Sequence, residues 1–248
     1  MQHHPVVSRE EWRVARKALL LREKEATRLR DRINAERLAL PWVKVDKAYV
    51  FDTPSGERTL AELFAGRSQL LTYQFMLAPG WDAGCTGCSF LADHFDGALP
   101  HLEHHDVTLT AVSRAPLPEI EAYKARMGWR FPWASSFGSD FNHDFHVSFS
   151  EAELGQGEVF YNFAKMPATQ AAPELPGLSA FIRDEAGQVF HTYSTYARGP
   201  EEIIGTLMIL DRAPLGRNES STMNFVRRHD EYEPAPQAKA CCAAPAAA

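Results

Sequence analysis

The sequence predicts an α/β fold in which a central mixed sheet is flanked by helices and preceded by one long N-terminal helix. Three observations predict it. Residues 8–40 repeat an apolar position every seven residues, residues 43–127 alternate β-rich runs with helical ones, and residues 178–196 read as a hairpin. Alternating strands and helices with one apolar face each bury a core by layering helices on a partly parallel sheet.

The first helix opens at Ser8, with Glu11 three residues on, a capping-box pattern. Trp12, Leu19, Ala26, Ile33 and Leu40 form its row, with Ala15 and Leu29 beside it and charged residues on both flanks. That is a single apolar seam. At 1.5 Å per residue the helix is roughly 45 Å long. Its seam fits either its own domain or a second copy in a homodimer. Pro41 ends it.

A strand is expected at 43–51, a turn at "TPSGE", a short helix at 59–64 and a second strand at 68–77. A cysteine loop leads into a helix at 86–96, stopped by Gly97, then a strand at 106–113. Pro116 and Pro118 open a helix at 117–127, and Gly128 closes it. Residues 129–165 are an insertion rich in aromatic residues, Ser, Asp and His, with short strands at 132–136 and 145–149. The hairpin 178–183/188–196 turns at "DEAG", and a helix follows at 200–210. The division is a helical extension (1–41), a domain (42–228) and an Ala/Pro-rich tail (229–248) expected to be disordered.

The 248 residues are 45% hydrophobic, enough for a substantial core, and carry a net charge of −6 with both signs well mixed. No basic stripe points to nucleic acid, and no basic amphipathic helix or long apolar run points to a membrane. The start, "MQHHPVVSREEW", lacks the cationic and apolar regions of a signal peptide, so a cytoplasmic location is expected. In that compartment four cysteines point to redox or metal chemistry rather than to a disulfide framework.

Cys85 and Cys88 carry that chemistry, in C-x-x-C spacing between a strand and a helix. The thiolate is the nucleophile, and a free cysteine has a pKa of about 8.5. Unpaired N–H groups at a helix start stabilise the anion. Cys85 falls at the first turn as nucleophile. Cys88 lies beneath the same turn as resolving thiol. Thr86 offers a hydroxyl, and Gly87, a poor helix former, admits a close partner or substrate. A Cu(I) carrier using both thiols and a histidine is the second reading; the histidines on offer to a metal, His101, His104, His105, His143 and His146, are not paired with the loop by spacing. A zinc knuckle needs two more ligands, and the other cysteines, Cys241 and Cys242, lie in the tail. No resident metal or cofactor is expected.

Other residues group around this pair. Arg114 ends a strand at the same sheet edge, suited to an anion or thiolate. Trp81, Trp129 and Trp133 are candidate pocket walls. Ser135, Ser136, Asp140, Asn142, His143 and Asp144 crowd polar groups into ten residues, a density suited to hydrogen-bonding a substrate.

The turn "DTPSGERTLAELF" resembles the way the peroxiredoxin branch of the thioredoxin superfamily enters its fold. The strings "GCTGCSF", "VSRAPL", "RMGWRFPWASSFGSDFN" and "FHTYSTYARG" resemble a family of bacterial thioredoxin-like proteins of unknown function, over about residues 8–228. The resemblance implies a thioredoxin-like fold. It also implies a cis-proline before the hairpin, for which Pro176 is the candidate. The buried Asp that thioredoxins place about six residues before the first cysteine is Pro79 here, and the strand offers Tyr73 and Gln74 instead. The leading reading is a thiol–disulfide oxidoreductase or peroxiredoxin-like reductase acting on a thiol or disulfide substrate, served by a reductant protein. A non-catalytic binding protein of the same fold is the third reading.

Overall fold

In the computed structural model, which describes residues 4–233, the chain forms two units, one ending at Trp42 and one starting at Val43. Cys241, Cys242 and the tail from 234 onward lie outside the described residues.

The first unit holds one helix, α1 (Arg9–Leu38). The Ser8 hydroxyl accepts from the Glu11 N–H, and the Glu11 carboxylate accepts from the Ser8 N–H at 2.9 Å. That box satisfies donors which a helix start otherwise leaves unpaired. No residue of α1 is buried, and its apolar row is open to solvent: Trp12 is 49%, Leu19 54% and Ile33 44% exposed.

The second unit runs β1 (Val43–Lys44), β2 (Val50–Thr53), β3 (Gly56–Thr59), β4 (Gln69–Gln74), α2 (Thr86–Ala92), α3 (Phe95–His104), β5 (Val107–Ser113), α4 (Leu117–Arg126) and β6 (Trp133–Ser135). The insertion continues with α5 (Phe141–Asp144), α6 (Glu151–Gly155) and the hairpin β7 (Glu158–Tyr161)–β8 (Ala164–Pro167). Then come β9 (Gly177–Arg183), β10 (Val189–Tyr196) and α7 (Gly205–Leu210). The main sheet has the order β1-β10-β9-β4-β5-β6-β2-β3. β4 and β5 are parallel, and β9 and β10 add antiparallel. Strands β10-β9-β4-β5, crossover helices between β4 and β5, and a helix after β10 make the thioredoxin fold. β6, β2, β3 and β1 widen it.

Alternation along the strands divides the core by period two. Leu70, Val112 and Phe181 face one cluster with Phe51, Phe64 and Phe141. Tyr73, Leu109 and Ala111 face the other, with Phe75, Phe90, Ile120, Trp129 and Trp133. In the hairpin turn Gly187 takes φ +83°, and the Asp184 side chain accepts from the Gln188 N–H at 2.8 Å.

Four expectations need correction. Residues 43–51 are not one strand: β1 pairs with β10 and β2 pairs with β3 and β6, at opposite sides of the sheet. The helix after the cysteines does not run to Gly97. It ends at Ala92, where the His94 N–H turns to the Leu91 carbonyl, and α3 restarts at Phe95 with Gly97 and Pro100 inside it. Residues 145–149 form no strand but a single bridge, Ser148 to Glu174. The expected boundary at 228 falls too early: His229–Glu231 forms a 3₁₀ turn, and Arg126 pairs with Asp230 at 2.7 Å. No helix among the described residues is long and apolar enough to cross a membrane.

Candidate active site

β4 delivers the chain to the C-terminal edge of the sheet, and Cys85 stands there as the N-cap of α2. The loop is pinned by two backbone bonds: Cys85 N–H to the Met76 carbonyl at 3.0 Å, and Ser89 N–H to the Cys85 carbonyl at 2.9 Å. The Ser89 hydroxyl shares the Cys85 carbonyl at 2.8 Å and meets Tyr123 Oη at 2.8 Å. Both thiols are free, Cys85 partly exposed and Cys88 buried.

The two sulfurs are held in opposite states. The Cys88 S–H donates to the Cys85 sulfur, and the backbone N–H groups of Cys88 and Gly87 also point at it. Arg228 adds a positive charge. Together these outweigh burial and bring the Cys85 thiol down to about 6. Burial pushes the Cys88 thiol well up, and its bond to Cys85 adds to that. The Tyr73 hydroxyl, itself raised by burial, donates to Cys88 from the strand beneath.

Gly84 lets this loop sit down on the core. A Cβ there would overlap the Phe75 ring and lie 2.8 Å from the Tyr123 ring. Gly84→Ala is therefore expected to lower stability by about 1–3 kcal/mol, the range for overpacking a tight core. A melting curve checks this, and an unchanged midpoint would contradict the close packing.

Thr86 and Gly87 lie in the first turn of α2 beside the pair. Trp81 is half-buried against the core next to the loop. Trp133 is not a pocket wall: it is 2% exposed, packs on Phe75 at 4.6 Å and gives its indole N–H to Ser113 Oγ. Ser135 is likewise fully buried, its hydroxyl donating to the Ala115 carbonyl at 2.6 Å. Pro176 follows a trans bond, since no cis peptide occurs among the described residues. Its carbonyl accepts from Tyr161 at 2.8 Å, which ties the insertion to the start of β9.

Arg114 does not face open solvent as a free anion site. Its Nε lies 3.0 Å from the carboxylate of buried Glu174, and its guanidinium donates to His143 Nε2 at 2.8 Å. His143 therefore carries its proton on Nδ1, directed at the Ser148 carbonyl at 3.1 Å. Burial raises the Glu174 carboxyl to about 7 against the pull of Ser148 and Arg114. The polar groups of the insertion find partners within the fold: Ser136 donates to Asn142 at 2.8 Å, and Lys47 bridges Asp140 and Asp144.

His101, His104 and His105 sit at the far end of the sheet, where the Gln69 side chain reaches the His105 carbonyl. Among the described residues no three His, Cys, Asp or Glu side chains gather in a metal-binding group. The histidine that the Cu(I) reading requires is not brought to the thiols.

Sequence reasoning missed Arg228. It donates to the Gly84 carbonyl through Nε (3.0 Å) and Nη2 (2.7 Å), and Glu231 holds its other arm at 2.8 Å. Nothing in its sequence neighbourhood marks it, and it lies 144 positions from its acceptor. Tyr123 was equally unmarked.

The family described as "Bacterial protein of unknown function (DUF899)" matches residues 1–232. No curated protein matches the chain. Among solved structures it is similar to peroxidoxin BcpB of Mycobacterium tuberculosis, at 14% identity and TM-score 0.40, over 69% of this chain and 96% of that one. It is also similar to a PrxQ mutant of Xylella fastidiosa, at 16% identity and TM-score 0.41, over 65% and 88%. A third is the mitochondrial 2-Cys peroxiredoxin of Plasmodium falciparum, at 16% and 0.40, over 69% and 95%.

Proposed function

The chain belongs to that bacterial family, and for this member of it we propose a thiol–disulfide oxidoreductase in which Cys85 attacks and Cys88 resolves. One observation carries the reading. Within one helical turn, a partly exposed thiol is lowered to about 6 while its neighbour is buried and raised. One sulfur is poised as a nucleophile, and the other stays protonated as its hydrogen-bond donor.

The Cys85 thiolate attacks one sulfur of a substrate disulfide, RS–SR′. That bond breaks, R′S⁻ leaves, and Cys85–S–S–R forms. Cys88 then gives up its proton to R′S⁻ and attacks the Cys85 sulfur. RS⁻ departs and the Cys85–Cys88 disulfide remains. The substrate has gained two electrons, and an external thiol reductant returns the pair to the dithiol. Tyr73 bonds Cys88 with a hydroxyl, where the family resemblance implies a carboxylate. A cytoplasmic setting suits two free thiols.

Reduced protein mixed with hydroxyethyl disulfide tests this. Loss of both thiols with formation of the Cys85–Cys88 bond, read by peptide mass, is the expected result. Two thiols that persist through a large excess of disulfide would overturn it and leave the binding-protein reading.

We propose further that the seam of α1 meets a second copy. A partner for a helix of 30 residues must offer an equally long apolar row, and this chain supplies one. Wild type is expected to sediment as a dimer, and Leu19→Glu as a folded monomer with unchanged helical signal. A wild-type monomer would refute the dimer.

A further inference from the structure

We infer that Met223 sets the width of the entrance to Cys85 and makes the exchange selective for small, slender disulfides over bulky ones. The inference rests on the dithiol reading above. The segment after α7 folds back over the start of α2. Val226 is buried, and Phe225 meets Phe90 edge-on at 6.3 Å. Arg228 locks onto the Gly84 carbonyl, and His229 Nδ1 lies 2.7 Å from Asp93. These anchors fix the segment directly above the cysteine loop.

Met223 brings its side chain to Gly87, between the two cysteines in sequence. Its methyl carbon lies 3.6 Å, and the Cys85 sulfur 4.0 Å, from the point a Gly87 Cβ would occupy. The two therefore flank one small gap above Gly87, which the missing side chain keeps open. On this inference an incoming sulfur meets the thiolate through that gap. A slender chain fits beside the Met223 methyl, and a branched or protein-borne one collides with it.

The backbone at Met223 is held against its own preference. It takes φ +57°, a region that residues with a Cβ enter at a cost. Surrounding bonds enforce it: the Glu219 carboxylate accepts from the Met223 N–H at 2.8 Å, and the Met223 carbonyl accepts from the Val226 N–H at 3.1 Å. Strain that neighbours over-determine is a pointer to function. An unbranched, polarisable thioether also suits contact with a passing sulfur.

The test uses the full chain carrying Cys241→Ser and Cys242→Ser, so that maleimide reports Cys85. Alkylation rates with N-ethylmaleimide and with a polymer-tagged maleimide give a small-over-bulky ratio. Met223→Gly suits a positive φ and removes the side chain. It should lower that ratio about tenfold, a change of about 1.4 kcal/mol in relative barrier. Met223→Asn, short and tolerant of the same φ, should lower it likewise, and Met223→Leu should keep the wild-type ratio. A ratio unchanged in both Met223→Gly and Met223→Asn overturns the inference. So does a wild-type ratio no greater than that of the unfolded chain. Alkylation needs no turnover, so the two failures separate. A wild type inert to hydroxyethyl disulfide sinks the dithiol reading and this substrate choice with it. Normal exchange with an unchanged ratio sinks the entrance role alone.

Discussion

Cys88→Ser is expected to accumulate a stable mixed disulfide between Cys85 and the substrate thiol, and Cys85→Ser to lose exchange by several orders of magnitude. Cys85 is the partly exposed, lowered thiol, and without it no comparable nucleophile remains at the start of α2. Loss of a nucleophile has effects of that size in other enzymes. Serine at 88 still donates a hydrogen bond to the Cys85 sulfur, so attack proceeds. It cannot displace the bound thiol, so the adduct persists. Intact-mass analysis after addition of a small disulfide reads the adduct directly. Full turnover by Cys88→Ser would assign resolution to another thiol. Truncation before Pro234, which removes Cys241 and Cys242, then separates a tail thiol from an external one.

The alkylation rate of Cys85 is expected to rise with pH through a midpoint near about 6 and to flatten above neutrality. The sign follows from the charged form being the one stabilised. Below the midpoint the sulfur is protonated and slow, and above it the thiolate dominates. A free cysteine is only a few per cent thiolate at pH 7. Cys88, buried and raised, should stay unlabelled across the same range. The variants divide the causes. The S–H of Cys88 is the largest influence lowering Cys85, so Cys88→Ala should move the midpoint up towards about 8.5. Cys88→Ser, which keeps a donor, should move it much less. Removing the charge of Arg228 should produce a smaller rise. A wild-type midpoint already near 8.5 would contradict the electrostatic account and the assignment of Cys85 as nucleophile.

The dithiol was legible because its signal is local. Two cysteines in one turn after an apolar strand need no distant partner to be recognised, and Gly84, Thr86 and Gly87 travel with them. The four central strands were legible for the same reason, as were the Ser8–Glu11 cap and the Asp184–Gly187 turn. Residues whose meaning depends on tertiary partners were misread. Trp133 and Ser135 looked like pocket groups, yet their indole N–H and hydroxyl are spent on Ser113 and Ala115 inside the core. Arg114, placed to suit an anion or a carboxylate partner, is taken by Glu174, far along the chain and buried. Gly97 looked like a stop, but the break comes earlier, where the His94 side chain bonds the Phe90 carbonyl at 2.9 Å. Arg228 sits near the presumed tail and carries no motif. Only folding brings its guanidinium to the loop.

The placement of β1 and β2 on opposite sides of the sheet also constrains how the protein is born. Residues 43–59 supply β1 at one margin and β3 at the other. They leave the ribosome before β6 and β10, so β1 waits for β10, and the β2–β3 hairpin waits for β6. Both rims of the sheet therefore close late, by contacts distant in sequence, and synthesis outpaces assembly there. Until β10 has emerged, "VKVDKA", which holds β1, is an unpaired, β-prone stretch on a nascent chain. Lys44, Asp46 and Lys47 interrupt its apolar residues with charge, as gatekeepers do in segments that must stay soluble while they wait.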